Sequence, residues 1–174
     1  MAPSSYQAPM RGDAKAKSGA GQSHKTDIAA DPATVRKLIG QKGNEVATIS
    51  PQDTIGHAVK VLSEKKIGSL VVTDAQGAIK GILSEHNIVR KLAETPGQTL
   101  PQKVEENMST KVQVCSLDDT LVAVLNSMSQ GRFRHMPVVE DGKLCGLLSI
   151  GDLVNFRLQE LEYESLKLKQ IIVG

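Results

Sequence analysis

The chain has 174 residues, of which 40% are hydrophobic and only 2% aromatic, and its formal net charge is +2. This length suits one compact domain or two small, mutually dependent repeats with an aliphatic core. The near-neutral charge argues against nucleic acid as a partner. No apolar run approaches the roughly 20 residues that a membrane-spanning helix requires. We therefore expect a cytoplasmic protein that does not cross a membrane.

The first segment, residues 1–30, is rich in Ala, Ser, Gly, Gln and Lys and has almost no branched apolar residue. Such a segment cannot bury enough surface to offset its ordering entropy, which predicts a disordered tail. Its basic, Ser-containing composition leaves an organelle transit peptide or a cloning remnant as alternatives. Asp31 and Pro32 then predict the start of a leading helix within residues 31–45, which would pack across the module. Its apolar stripe comprises Val35, Leu38 and Ile39.

A five-element pattern occurs twice in the rest of the chain. Residues 46–62 align with residues 112–128 at an offset of 66, and residues 81–89 align with residues 146–154 at an offset of 65. Apolar periodicity and turn residues predict strand, helix, strand, strand, helix in each unit. The predicted divisions are repeat one over 46–95, a linker with a short helix over 96–111, repeat two over 112–158, and a C-terminal helix extension over 159–174.

The last helix carries two overlapping apolar patterns. Leu153, Val154 and Leu158 are expected on its core side. A heptad-like seam with alternating spacings of four and three consists of Val154, Leu158, Leu161, Ser165, Leu168 and Ile172. Such a seam either folds back on its own module or forms a homodimer contact.

Ser149 and Asp152, with their counterparts Ser84 and Asn87, are the residues best placed for chemistry. Each pair lies in the first turn of a helix that follows a strand, where amide groups and the helix dipole favour a phosphate. A carboxylate there can also accept hydrogen bonds from a vicinal diol such as a ribose. The same spacing is close to an ordinary capping box, which is the alternative without a ligand.

Two features favour a nucleotide site over capping alone. The pair recurs in both repeats, and three basic residues precede the strand that leads to the same end of the module: Arg132, Arg134 and His135. The planar guanidinium of arginine suits phosphate oxygens. A solvated surface charge is the alternative for Arg134.

Both units resemble cystathionine-β-synthase-type (CBS) domains, and the pair resembles a Bateman module. The motif of glycine, an apolar residue, any residue, Ser or Thr, any two residues, and Asp or Asn fits residues 81–87 (GILSEHN) and 146–152 (GLLSIGD). The resemblance covers about residues 46–158. It implies an α/β (α+β) fold in which two repeats pack with pseudo-two-fold symmetry, with helices outside the sheets and two clefts between the repeats.

The resemblance also implies a ligand, since such clefts bind AMP, ADP, ATP, NAD(H) or S-adenosylmethionine in the family. By position, Asp152 would hold the ribose hydroxyls and Ser149 would lie near the ribose or phosphate. Arg134 and His135 would approach the phosphates. Backbone groups at four positions would line the base pockets: Thr48, Ser50, Val114 and Ser116.

Repeat one departs from this pattern. Asn87 replaces the carboxylate, and Gly68-Ser69 stands where repeat two has Arg134-His135. An amide has one acceptor oxygen and no charge, so it should hold a diol less well. We expect the Asp152 cleft to bind tightly and the Asn87 cleft to bind weakly or not at all.

No catalytic motif accompanies this pattern. The four histidines (His24, His57, His86 and His135) lack metal-ligand spacing with an Asp, Glu or Cys companion. The sequence also lacks a phosphate-binding Gly-x-x-x-x-Gly-Lys-Ser/Thr loop and a nucleophile elbow. We therefore predict that the chain is not an enzyme.

The prediction is a stand-alone regulatory module of the energy-sensing kind, forming a homodimer. It would bind an adenine nucleotide and signal to an unidentified protein through a change in conformation or dimer, which requires different ligand affinities in the two states. The alternative is a protein- or nucleic-acid-interaction module in which the clefts are structural remnants. Scarce aromatic residues weigh against single-strand binding, whereas the basic tail favours it.

Overall fold

The computed structural model describes residues 32–173, so the predicted disordered tail and its transit-peptide alternative lie outside the described residues. The helices are α1 Val35–Lys42, α2 Ile55–Lys65, α3 Glu85–Glu94, α4 Leu121–Gly131 and α5 Ile150–Val173. The strands are β1 Thr48–Ile49, β2 Ser69–Thr73, β3 Ile79–Ser84, β4 His135–Glu140 and β5 Lys143–Ser149. Among these described helices, none is both long and apolar enough to cross a membrane.

Repeat one forms a three-stranded sheet in which β1 runs parallel to β2 and β2 runs antiparallel to β3. Helix α2 begins after Thr54, whose Oγ1 accepts a hydrogen bond from the His57 N–H at 3.2 Å. The core side of α2 consists of Ile55, Ala58 and Leu62. The repeat therefore has the predicted order of strand, helix, strand, strand and helix.

Repeat two has the same plan, but its predicted first strand is reduced to a single parallel bridge between Cys115 and Val138. In repeat one, the Val71 N–H donates to Ala47 O at 3.1 Å. The residue equivalent to Val71 at the offset of 66 is Pro137, which has no N–H to donate. Only two backbone hydrogen bonds therefore join this segment to β4. The Cys115 N–H donates to Pro137 O at 3.0 Å, and the Val139 N–H donates to Cys115 O at 2.9 Å.

Helix α1, which was predicted to pack across the module, packs on repeat two. Its buried side chains lie in one apolar cluster with α4, β4, β5 and α5. The Val35 N–H donates to Asp119 O of repeat two at 2.9 Å, which satisfies an amide that would otherwise need a cap. The helix consequently begins after Thr34, later than the predicted start at residues 31–32.

The linker completes repeat one in the same manner. The predicted short helix is a 3-10 turn over Val104–Glu106. Val104 is fully buried in the core of repeat one, and Met108 packs against that core. Each repeat is thus completed by the segment that precedes the other repeat, which gives the pseudo-two-fold fold implied by the resemblance.

Of the three residues predicted on the core side of helix α5, only Leu153 is buried. The buried residues of α5 are Leu153 and Phe156, whereas Val154 and Leu158 are 43% and 53% exposed. Beyond residue 160, the described side chains of the helix are exposed. The heptad-like seam therefore faces away from the core, and the alternative that it folds back on its own module is wrong.

Candidate functional site

A cleft of about 600 Å³ lies where the two repeats meet. One wall is formed by the end of α1 and the segment before β1, a second by residues 65–69 of repeat one, and a third by β4, β5 and the start of α5. Its polar lining includes Lys42, Glu45, Lys65, Lys66, His135, Ser149 and Asp152. The cleft thus joins the helix terminus of repeat two to basic residues outside that repeat.

Ser149 and Asp152 cap the first turn of α5 reciprocally. The Ser149 N–H donates to Asp152 Oδ2 at 2.8 Å, and the Asp152 N–H donates to Ser149 Oγ at 3.1 Å. This is the capping geometry that the sequence offered as the alternative to a ligand site. The hydrogen bonds of the carboxylate use Oδ2, and within residues 32–173 the other oxygen, Oδ1, accepts none. Capping therefore leaves part of the carboxylate available inside the cleft.

Lys42, at the end of α1, contacts the same carboxylate. Its Nζ forms an ion pair with Asp152 Oδ2 and donates a second hydrogen bond to Leu147 O at 2.7 Å. Both side chains of the ion pair are partly exposed. Lys42 was not predicted as a site residue, because it lies 110 residues before its partner.

The surroundings set the charges of two groups in the cleft. Burial favours the neutral form of Asp152, but hydrogen bonds from Lys42 and Ser149 outweigh this effect, so that the pKa of the Asp152 carboxyl lies below its usual value. Burial lowers the pKa of His135, and Lys42 and Arg134 act in the same direction, while Asp152 opposes them. The cleft therefore combines an ionised carboxylate with an imidazole that is neutral at pH 7.

The lysines on the repeat-one side add positive charge. Lys65 forms an ion pair with Glu45 at 3.3 Å. Lys66 makes no ion pair with any residue in the described range 32–173, so the cleft carries net positive charge. The same range contains no group of three or more His, Cys, Asp or Glu side chains placed to hold a metal ion.

Three of the predicted site residues line the cleft, namely His135, Ser149 and Asp152. The remaining predicted residues are not part of its lining: Arg132, Arg134, Val114, Ser116, Thr48, Ser50, Ser84 and Asn87. Arg134 is exposed. Gly68, the repeat-one counterpart of Arg134, lines the cleft, because the cleft combines one end of each repeat.

Lys66 could have been found from the repeat. It corresponds to Arg132 at the offset of 66, and both residues follow a helix with a left-handed backbone, at φ values of 53° and 55°. The prediction selected Arg132 from repeat two, whereas Lys66 of repeat one lines the Asp152 cleft. The repeat therefore relates the predicted Arg132 to a lysine that lines the Asp152 cleft.

The counterpart site in repeat one is satisfied internally. Asn87 is only 9% exposed, and its Oδ1 accepts hydrogen bonds from the Ser84 N–H at 3.0 Å and Ser84 Oγ at 2.6 Å. Its Nδ2 donates to Ser109 Oγ at 3.2 Å. A Cβ added to the neighbouring Gly81 would lie 2.6 Å from Met108 Sδ and 2.8 Å from Ser109 O. The linker thus packs tightly against this helix terminus.

Comparison with known proteins agrees with the repeat structure. The family model described as "CBS domain" matches residues 42–94 and 103–159, more than half of the chain. The CBS domain-containing protein YhcV of Bacillus subtilis is 33% identical over 109 residues, which are 63% of this chain and 76% of YhcV. The mitochondrial CBS domain-containing protein CBSX3 of Arabidopsis thaliana is 29% identical over 126 residues, which are 70% of this chain and 61% of CBSX3.

An uncharacterised 17.7 kDa protein of Acidianus ambivalens is 34% identical over 110 residues, which are 65% of its length. The matched region thus covers less than two thirds of some of these relatives.

Solved structures have the same fold. The CBS-domain containing protein ATU1752 of Agrobacterium tumefaciens matches with a TM-score of 0.70 and 40% identity, over 72% of this chain and 99% of that protein. CBSX2, solved in complex with AMP, matches with a TM-score of 0.59 and 26% identity, over 73% of this chain and 97% of CBSX2. The two matched segments, the repeated α/β plan and the crossed completion of the two cores show that this chain is a tandem CBS-domain protein.

Proposed function

We propose that this chain is a regulatory module that binds an adenine nucleotide in the Asp152 cleft and transmits the binding to a protein partner. The observation that carries the proposal is the meeting of the Ser149–Asp152 helix terminus with Lys42, Lys65 and Lys66 around one cavity. A carboxylate for a ribose diol and cations for phosphates are thereby within one cavity of about 600 Å³. The AMP complex of CBSX2 supports an adenine nucleotide as the ligand class.

Different groups in the cleft bind different parts of the ligand. Ser149 and the first amides of α5 face a phosphate or ribose oxygen at the positive end of the helix dipole. His135, whose pKa is lowered by burial, contributes a neutral imidazole that hydrogen-bonds a phosphate oxygen without pairing its charge. Charge neutralisation is therefore assigned to the lysines, and not to Arg134 as the sequence predicted.

A thermal-shift panel tests the proposal with AMP, ADP, ATP, NAD, NADH and S-adenosylmethionine. A ligand at 100 times its Kd stabilises the folded state by about 2.7 kcal/mol, which raises the Tm by roughly 5 to 10 °C in a domain of this size. We expect one adenine ligand to give such a shift in the wild type and none in Asp152→Ala.

The matched control is Asp119→Ala, because the Asp119 carboxylate also caps a turn, accepting from the Ser116 N–H at 2.8 Å, but lies outside the cleft lining. This variant should keep the ligand shift. If no ligand stabilises the wild type, Ser149 and Asp152 serve only as a helix cap and the proposed function is wrong.

We also propose that the module forms a homodimer through the seam of α5. Leu158, Leu161 and Leu168 are between 45% and 55% exposed. Arg157 precedes Glu162 by five residues, and Glu164 precedes Lys169 by five. With the seam at the a and d positions, these residues occupy g and e, so a parallel second copy places opposite charges face to face. A second copy of this chain is thus the occupant that fits the face.

The expected result is a dimeric wild type and a monomeric double variant, Leu161→Glu with Leu168→Glu, in sedimentation velocity. Two carboxylates in the seam would each need to be desolvated against an apolar partner helix. Leu166→Glu is the matched control, since Leu166 is 59% exposed on the same helix but lies outside the seam, and it should remain dimeric. A monomeric wild type, or a double variant that stays dimeric, would contradict this pairing.

A further inference from the structure

Lys42 occupies one oxygen of the carboxylate that the proposed ligand would use, Asp152 Oδ2. A carboxylate oxygen has two lone pairs, and those of Asp152 Oδ2 are taken by the Ser149 N–H and by Lys42 Nζ. A vicinal diol that hydrogen-bonds both carboxylate oxygens needs one of these positions. The Ser149 bond belongs to the helix cap, so Lys42 is the group that must leave.

The matching helix terminus of repeat one is contacted by Ser109 of the linker and not by a lysine. The Ser109 N–H donates to Ile82 O at 2.8 Å, and Ser109 Oγ accepts from Asn87 Nδ2 at 3.2 Å. Ile82 corresponds at the offset of 65 to Leu147, whose carbonyl accepts from Lys42 Nζ. A neutral hydroxyl thus accompanies the neutral amide, whereas the lysine accompanies the carboxylate, which indicates that Lys42 is matched to the charge of its partner.

Lys42 has space to move without unfolding α1. Its side chain is 38% exposed. It lines both the 600 Å³ cleft and a neighbouring groove of about 200 Å³ formed by α1 and α5. The ammonium group can therefore move within the cleft while the backbone of α1 stays packed on repeat two.

The cost of releasing Lys42 depends on the ligand. A nucleoside without a phosphate hydrogen-bonds the Asp152 carboxylate but carries no anion with which the displaced Lys42 ammonium could pair. A phosphorylated nucleoside brings an anion into the cleft that Lys65 and Lys66 also line. An unpaired charge created by the wrong ligand is a general means of discrimination.

We propose that Lys42 makes the Asp152 cleft selective for phosphorylated nucleosides, an inference that rests on the proposed function. When the ligand binds, the ammonium group of Lys42 leaves the Asp152 carboxylate and pairs with the ligand phosphate. Lys42 is thus a specificity-determining residue that comes from a helix preceding both repeats. The ligand class is a nucleoside phosphate, and the discriminated class is the free nucleoside.

Titration calorimetry with AMP and adenosine tests this assignment on the full chain. In Lys42→Met, which removes the ammonium group and keeps an unbranched side chain, we expect AMP to bind about tenfold more weakly and adenosine to bind several-fold more tightly than in the wild type. Lys42→Gln provides a second variant in which the same two changes are expected. A circular-dichroism melt of each variant establishes that it is folded.

The matched control is Lys65→Met. Lys65 is a cation of the same cleft, but its carboxylate partner is Glu45 and not Asp152. It should weaken AMP without tightening adenosine. Unchanged or weaker adenosine binding in folded Lys42 variants would overturn the selectivity role while leaving the proposed function intact. If the wild type binds neither ligand, and Asp152→Ala behaves identically, the proposed function and the role of Lys42 are both wrong.

Discussion

Leu38→Ala is expected to lower the free energy of unfolding by about 3 kcal/mol, although Leu38 precedes both repeats. Its side chain is 3% exposed in the cluster that contains Met128, Leu153 and Phe156 of repeat two. Removing it leaves a cavity among the buried side chains of that cluster. Urea unfolding should show the loss as a decrease of roughly 1.5 M in the midpoint.

Leu100→Ala is the matched control, because Leu100 is 50% exposed outside both core clusters. Its effect should stay below about 1 kcal/mol. If Leu38→Ala were as mild as this control, α1 would not be part of the core of repeat two.

One nucleotide should bind per chain, and Asp152→Asn should weaken its affinity by 10- to 100-fold. The substitution removes a charged acceptor, whose hydrogen bonds contribute about 1.5 to 3 kcal/mol. Asparagine is the suitable replacement because Asn87 already makes the equivalent capping contacts, with the Ser84 N–H at 3.0 Å and Ser84 Oγ at 3.3 Å. The fold should therefore survive the change.

Titration calorimetry gives both the stoichiometry and the affinity. Asn87→Ala is the control from the other repeat, and it should leave the number of sites and the Kd unchanged, since the Asn87 side chain is buried and bonded to Ser84 and Ser109. Two equal sites per chain would contradict the assignment to the Asp152 cleft. So would a loss of nucleotide binding in Asn87→Ala together with unchanged binding in Asp152→Asn.

The repeat made the fold predictable. Two copies of one strand, helix and turn pattern gave the element order and the helix termini at Ser84 and Ser149, because capping residues and turns are local signals. The shortening of the first strand of repeat two was not predicted from the sequence. Pro137 occupies a position where repeat one uses the amide of Val71, but this comparison depends on knowing which strands pair.

The composition of the cleft was less predictable, since its walls are far apart in the chain. Lys42 lies in a stretch without any distinctive motif, and only the fold places it beside Asp152. Periodicity likewise could not decide which side of α5 faces the core, because Leu153 and Val154 belong to apolar stripes on adjacent faces. The buried stripe includes Phe156, and the exposed one continues along the seam.

The crossed completion of the two cores has a consequence for the order in which the protein is made. Repeat one is complete once residues 104–108 have been synthesised. Helix α1 leaves the ribosome before either repeat, yet the apolar partners of Val35 and Leu38 extend to Phe156. The amphipathic face of α1 must therefore wait until Phe156 has been synthesised. The entropic cost of closing so long a loop rises only slowly with its length. The main consequence for the nascent chain is therefore the time for which the apolar face of α1 stays exposed to solvent, and not the entropic cost of closing the loop.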